Sequence, residues 1–237
     1  NNNYTLYSMQ KIGTEYGGWW VPKNLLLNEN SIVYSGGAGE DISFDLKLQD
    51  KYNCWIVIID PTKKAIKHYE EVKLFYKDNN FKFTGNIQKD YIQNIKNLNI
   101  NFNKIIFLDM GLYNKKDLLK FYKQDNPNYV SQSLENNMFG INYDIVKVDT
   151  IKNIMIELNH DNIDLLKLDI EGSECDVLDK MLDDNILPKY LCIEFDLLLK
   201  NKNFNKKKEK IGKRLESFGY KILKNDNFNI TFELFSK

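Results

Sequence analysis

A chain of 237 residues, 43% hydrophobic and 28% charged, has the size and composition of one well-buried domain, and nothing in it marks off a second. Lys+Arg and Asp+Glu balance at 33 each, so no net field draws nucleic acid or an anionic membrane, and Arg214 is the one candidate for a forked clamp on phosphate. Cys54, Cys175 and Cys192 sit in apolar-periodic segments without zinc spacing, which predicts buried free thiols in a reducing, cytoplasmic compartment; no apolar run approaches the ~20 residues of a membrane span.

Residues 1–30 open weakly helical, without the basic and apolar regions of a signal peptide and without an initiator Met, as expected of a processed chain or a domain of a longer protein. YGGWWVPKNLLL follows. Neighbours on a strand point to opposite sides, so Trp19 and Trp20 cannot both face one core. Trp20 is a candidate to cover a ligand; packing of both rings at a domain edge is the commoner outcome.

The stretch SIVYSGGAGEDISFD from Ser31 to Asp45 reads as strand, tight turn and helix. Glycines at 36, 37 and 39 let the backbone turn through positive φ and approach a ligand closely, and the helix that follows offers unpaired N–H groups. A second strand, Cys54 to Ile59, is almost continuously apolar, as a strand buried on both faces must be, and ends at Asp60. An acid about 20 residues beyond such glycines suits a ribose diol; a helix cap is the alternative. Pro61 and Thr62 lead into a helix to about Val72.

Residues 73–103 are polar and Asn-rich, with Phe81 to Phe83 as a predicted edge strand. The third core strand is Lys104 to Leu108, followed by Asp109, Met110, Gly111 and Leu112. Asp117 to Tyr122 reads as a hairpin strand, the loop QDNPNYVSQS follows, and Val146 to Asp149 is predicted to pair before a helix from Ile151 to Leu158. The fourth strand, Ile163 to Ile170, puts Lys167 and Asp169 on one side. A lysine in a core strand is costly unless paired or used, which makes this pair stand out. A helix from Ser173 to Asp183 and a fifth strand, Tyr190 to Phe195 with Glu194 near its end, come next. A lysine-rich amphipathic helix runs to Gly219, and strands Tyr220 to Leu223 and Ile230 to Phe235 close the chain as a hairpin. His68 and His160 fall away from strand ends and read as surface or capping residues. Strands alternating with helices imply an open α/β sheet, mostly parallel, whose ligands sit beyond the carboxyl ends of its strands.

The motifs VYSGGAGEDISFD, IIDPT, GLYNKKDLLKFYKQDNPNYVSQSL, IDLLKLDIEGSECDVLDKML and LCIEF, in that order and spacing, resemble the FkbM family of S-adenosylmethionine-dependent methyltransferases. YGGWWVP resembles a branch of it, so the likeness runs from about Gly17 to Phe235. It implies a single Rossmann-like class I methyltransferase domain over residues 31–237, with a seven-stranded sheet ending in the antiparallel hairpin, and residues 1–30 as an extension contributing to the site. It also implies O-methylation, most often of a sugar hydroxyl in a glycan or glycosylated metabolite; the zero net charge and single arginine disfavour a nucleic-acid partner, and the lack of a long apolar run predicts no membrane span. Many methyltransferases carry an acid where Ser35 stands and a third glycine where Asp41 stands; the cofactor's amine would then meet the Ser35 hydroxyl or a backbone carbonyl.

On this resemblance Ser35, Gly36, Gly37 and Gly39 cradle the cofactor, Asp60 holds its ribose, and Pro61, Met110, Gly111 and Leu112 flank adenine. Asp169 is the expected base or acceptor anchor, Lys167 its charge partner, and Glu171 and Glu194 are secondary. Trp20, Ser131 and Ser133 are candidates for the acceptor. Asp169 and Glu194 could instead hold a divalent ion such as Mg, which would acidify the acceptor hydroxyl. The competing class is an inactive methyltransferase-fold binding domain attached to a glycan-synthesis protein.

Overall fold

The computed structural model describes residues 8–78, 80–123, 132–133, 142–195 and 202–235. An N-terminal hairpin of β1 (Met9–Ile12) and β2 (Trp19–Pro22) precedes β3 (Ile32–Gly36), α1 (Ser43–Tyr52), β4 (Trp55–Ile59), α2 (Lys63–Phe75), α3 (Tyr91–Ile95) and β5 (Ile105–Leu108). Then come β6 (Gly111–Leu112), β7 (Asp117–Lys123), β8 (Gln132–Ser133), β9 (Tyr143–Asp149), α4 (Ile151–Leu158), β10 (Leu165–Leu168) and α5 (Glu174–Asp183). The chain closes with β11 (Tyr190–Glu194), α6 (Lys202–Ser217), β12 (Tyr220–Asp226) and β13 (Asn229–Leu234).

Seven strands form the main sheet in the order β12-β13-β11-β10-β3-β4-β5. The five from β11 to β5 run parallel, and β13 is antiparallel to both its neighbours. The chain reverses its direction of travel across the sheet between β3 and β10, the point where doubly wound sheets open a crevice above their strand ends.

Strand alternation divides the core in two. Tyr34, Val57, Ile59, Leu166, Leu168, Leu191 and Ile193 face the layer holding α4, α5 and α6. Val33, Ile56, Ile58, Leu165 and Cys192 face α1, α2 and the N-terminal hairpin, where Trp19 and Val21 pack. Each aliphatic side chain buried this fully stabilises by about 1.5–3 kcal/mol. Thr62 caps α2 by accepting from Ala65 N–H, and Thr150 caps α4 through Asn153 N–H. Among the described residues no helix is long and apolar enough to cross a membrane, and all three cysteines are free and buried.

Several elements differ from expectation. The opening residues from Met9 form a strand where a helical start was expected. Phe81 and Phe83 lie in no strand: their rings pack edge to face with each other, and Phe83 also meets Phe75 and His68. Asp117 to Tyr122 is a strand that pairs at its end with β8, the expected hairpin, but most of its length lies against the distant β9, within a second sheet of order β6-β9-β7-β8. Local pattern reveals a strand; it does not say which partner lies across from it.

Candidate active site

Gly36 ends β3, and Gly37 and Gly39 follow in left-handed conformations at φ +81° and +52°. A Cβ at Gly37 would fall 1.7 Å from the Asp169 carbonyl oxygen, so the end of β10 presses directly on this backbone. The turn's amides are already engaged. Gly37 N–H donates to Ile59 O, and the N–H groups of Ala38 and Gly39 donate to Asp60 Oδ2 at 2.8 and 3.0 Å. Thr62 N–H donates to Asp60 Oδ1 at 2.7 Å, and Asp60 is only 4% exposed. The acid closing β4 therefore clamps the glycine turn to the start of α2, and only Oδ1 keeps an acceptor site beyond these bonds. This corrects the expectation that the amides of Gly37 and Gly39 stand open as a cradle.

Ser35 also departs from its expected role. Period two turns it to the α1 side with Val33, away from the face of Gly36, and it is fully buried. Its hydroxyl lies by Asp45, and neither Ser35 Oγ nor either Asp45 carboxylate oxygen has a hydrogen-bond partner. Burial raises the Asp45 pKa, against the opposing charge of Lys167. A hydroxyl so placed cannot reach a ligand above the strand ends.

Lys167, opposite Ser35 in register, is 4% exposed. Its ammonium donates to Gly37 O and lies 4.0 Å from Asp169 Oδ2. The buried lysine thus ties the glycine turn to the half-buried Asp169. After Asp169 the chain turns through Glu171 and Gly172 at φ +57° and +111°. Glu174, which sequence reading passed over, holds this turn: its carboxylate accepts from Ile170 N–H at 2.9 Å and Gly172 N–H at 3.0 Å. Burial pushes its pKa up to about 8, while those N–H donors pull the other way. The signal available was the acid itself, four residues past Ile170 in a turn with a glycine.

One step beyond the Leu168–Ile193 pair, Asp169 and Glu194 come level at the carboxyl edge of the sheet. Tyr16 was also missed. It projects 72% exposed from the turn between β1 and β2, and partial burial and then the charges of Asp169, Glu171, Glu194 and Asp41 raise its pKa. Its ring therefore stands in the negative field of the strand-end carboxylates. Asp41 anchors that turn, accepting from Thr14 Oγ1 at 2.5 Å, while Ser43 Oγ accepts from Thr14 N–H at 2.9 Å. Gly17 is required beside it, since a Cβ there would fall 2.6 Å from Asp41 Cγ. The acid in place of a third glycine thus docks the N-terminal extension over the start of α1.

Trp20 donates its indole N–H to Asp226 Oδ2 at 2.9 Å, and Lys224 lies over its ring at 5.1 Å. It joins the extension to the tip of the terminal hairpin, where Asn229 pairs with Glu194; Trp19 is core. Pro61, Gly111 and Leu112 come together beside the glycine turn: a Cβ on Gly36 would meet Leu112 Cδ1 at 2.8 Å, and one on Gly111 would lie 3.7 Å from Pro61 Cγ. Leu112 is buried, whereas Met110 and Ile170 are partly exposed and pack against the core cluster that holds Leu112. Ser131 and the side chain of Ser133 lie outside the described residues. His68 is a correction: it is 2% exposed, not at the surface. His160 lies against Tyr34, its Nδ1 2.9 Å from the hydroxyl. Among the described residues no three His, Cys, Asp or Glu side chains come together to hold a metal.

The strand-end acids, one acceptor site on Asp60 and the partly exposed apolar side chains of Met110 and Ile170 match a ligand with a cationic centre, a diol and a flat base. S-adenosylmethionine has all three.

A family model described as the Methyltransferase FkbM domain matches residues 41–222, more than three quarters of the chain. No curated protein matches at a significant score. Among solved structures, a fibrillarin/Nop5p complex matches at 13% identity and a TM-score of 0.41, covering 87% of this chain and 72% of that one. The Methanococcus jannaschii fibrillarin pre-rRNA processing protein matches at 10% identity and 0.41, covering 98% and 84%. M. jannaschii TYW2 in complex with AdoMet matches at 14% and 0.34, covering 97% and 87%. At these scores none of the three bears on what this chain does.

Proposed function

This chain belongs to the FkbM methyltransferase domain family, and from that premise we propose that it transfers a methyl group from S-adenosylmethionine to a hydroxyl, that of a sugar in a glycan or glycosylated metabolite. The observation that carries the reading is the meeting of the glycine turn, Asp60, Lys167 and Asp169 at the switch point of the sheet. When bound, the cofactor supplies an electrophilic methyl on a sulfonium, already a good leaving group. The protein's share is alignment and proton removal.

In this reading the free site on Asp60 Oδ1 accepts from the ribose, and Pro61, Met110, Gly111, Leu112 and Ile170 flank the base. Asp169 accepts the hydrogen bond of the acceptor hydroxyl and takes its proton as the oxygen attacks. Lys167, 4.0 Å from Asp169 Oδ2, holds that carboxylate in place for the hydroxyl. Alignment then provides the larger share of the acceleration, with a positioned base adding ~10²- to 10⁴-fold. Glu171, Glu194 and Tyr16 line the acceptor side, so residues 1–30 belong functionally to the domain. Ser35 is left out because it is buried beneath the turn, and Trp20 acts on the rim. The Mg reading has only the Asp169–Glu194 pair in its favour.

Incubation with methyl-labelled cofactor and a glycan panel, read by mass, tests this. A gain of one methyl on a sugar supports it; cofactor binding with no transfer to any hydroxylated acceptor points to the inactive binding domain.

A further inference from the structure

The second sheet has two faces of different character. On β7 the side chains of Leu119 and Phe121 turn inward with Val146 and Val148 of β9, against Tyr113. Strand alternation sends Leu118, Lys120 and Tyr122 to the other side, and the antiparallel register sets Lys147, Ile145 and Tyr143 directly opposite them. This outer face is open: Leu118 is 63%, Ile145 57% and Tyr143 43% exposed. Lys120 and Lys147 are exposed too, and only Tyr122 is half-buried. The Tyr122 and Tyr143 rings meet edge to face at 5.8 Å, and the Lys120 ammonium lies over the Tyr143 ring at 4.4 Å.

Two features set this face apart. Of the large hydrophobic side chains exposed among the described residues, Leu118, Tyr143 and Ile145 gather here, while Tyr16, Leu26, Leu74, Ile156 and Ile222 each stand on a separate segment. The face also carries one sign of charge, although the chain as a whole balances. Asp117 and Asp144 have the inward parity, opposite Val148 and Phe121 in register. Asp149 is buried, its carboxylate accepting from Thr150 N–H and from the Asn153 amide. Among the described residues no ion pair engages Lys120 or Lys147.

Aliphatic and ammonium groups thus alternate, Leu118 diagonal to Ile145 and Lys120 diagonal to Lys147, with the two tyrosines at one end. A second copy of the chain is a poor match: an isologous contact would set these ammonium groups against an equally basic face, and six side chains fall well short of the roughly 20–30 residues a side of a stable interface. An anionic glycan would engage the tyrosines and lysines but leave Leu118 and Ile145 facing water. An anionic lipid surface takes all six. The aliphatic tips enter the acyl boundary, the tyrosine rings sit at headgroup level, and the lysine stems extend their ammonium groups to the phosphates. We propose that the outer face of β7 and β9 is a peripheral docking surface for an anionic phospholipid membrane, on which the chain lies without spanning it. Docking of this kind requires neither the cofactor nor methyl transfer.

Flotation of the whole protein with phosphatidylcholine vesicles, with and without about 30% phosphatidylserine, reads the contact in the absence of cofactor and acceptor. The expected result is binding to the phosphatidylserine vesicles alone, weakened between about 50 and about 500 mM salt. Lys120→Ala and Lys147→Ala should each lower the partition coefficient about fivefold, and Leu118→Ser or Ile145→Ser about tenfold. All four side chains are exposed, so these variants keep the fold. The lysine-rich α6 is the rival source of basic charge, and Lys213→Ala on it should change little. Because the three native cysteines are buried, Ile145→Cys takes up a polarity-sensitive dye selectively. Its emission should move to the blue on phosphatidylserine vesicles, while the same dye on Ile156→Cys in α4 should not respond. The proposal is overturned by a protein that floats with neither vesicle, by binding that falls with Lys213→Ala and not with the Lys120 and Lys147 variants, or by a dye at Ile145→Cys that stays in water while the protein floats. Capture by an anionic polysaccharide without vesicle binding would assign the face to a glycan, and dimerisation lost in Ile145→Ser would assign it to a second copy; either result also overturns it.

Discussion

Removing the Asp60 carboxylate should do more than weaken a ligand contact, because this side chain joins the glycine turn to the start of α2. In Asp60→Ala the N–H groups of Ala38, Gly39 and Thr62 lose their acceptor. Ala38 and Thr62 are buried, while Gly39 is partly exposed and can be rehydrated. The two buried bonds to a charged acceptor contribute ~1.5–3 kcal/mol each, so the expected loss is about 3–6 kcal/mol. That is a large part of the ~5–15 kcal/mol that holds a domain folded. Asp60→Asn should cost less, about 1–3 kcal/mol: its carbonyl can still serve the Ala38–Gly39 pair, but its NH₂ then confronts Thr62 N–H. Urea unfolding followed by tryptophan fluorescence reads both variants, and unchanged slopes would assign the shift in midpoint to stability. An Asp60→Ala midpoint equal to that of the wild type would refute the clamp.

Three further outcomes follow from the same geometry. Glu174 has a pKa raised from 4.5 to about 8 in the fold, so the folded state holds more protons than the unfolded between those values. Its contribution is therefore fullest below about pH 4.5 and is lost as pH rises toward 8. Glu174→Gln should flatten that slope in unfolding measured from pH 5 to 8, and an unaltered slope would show that Glu174 ionises normally. Tyr16→Ala should raise KM for the acceptor several-fold while leaving cofactor affinity unchanged, and Tyr16→Phe should restore most of the loss if the ring is what matters; equal defects would assign the role to the hydroxyl. Methyl transfer should survive a chelator, since a sulfonium is a good leaving group without a metal and Asp169 is placed to take the hydroxyl proton; activity lost to chelation and restored by Mg would revive the Asp169–Glu194 metal.

The parallel sheet was readable because strands buried on both faces declare themselves as unbroken apolar runs, Trp55–Ile59 above all, and because each ends in a residue unlike the rest. Lys167 stood out for the reason the structure bears out: a buried cation needs partners, and Gly37 O and Asp169 are there. What could not be read were contacts between segments far apart in sequence. Nothing local to Asp60 says that its carboxylate reaches back to Ala38, and nothing in Asp41 foretells Thr14. The orientation of Ser35 was in principle accessible, since it shares the parity of Val33 on the strand; the resemblance to enzymes with an acid there directed attention to the opposite side. Tyr16 and the partner of β9 were missed for one reason: the turn of a hairpin and the partner of a strand are set by tertiary contacts.

The central claim is that the switch point above β3 and β10 holds S-adenosylmethionine. Calorimetric titration of the folded protein with this cofactor tests it most directly. One saturable site per chain, weakened in Asp169→Asn, is the predicted result. A folded protein that gives no heat, or whose heat is unchanged in Asp169→Asn, contradicts it.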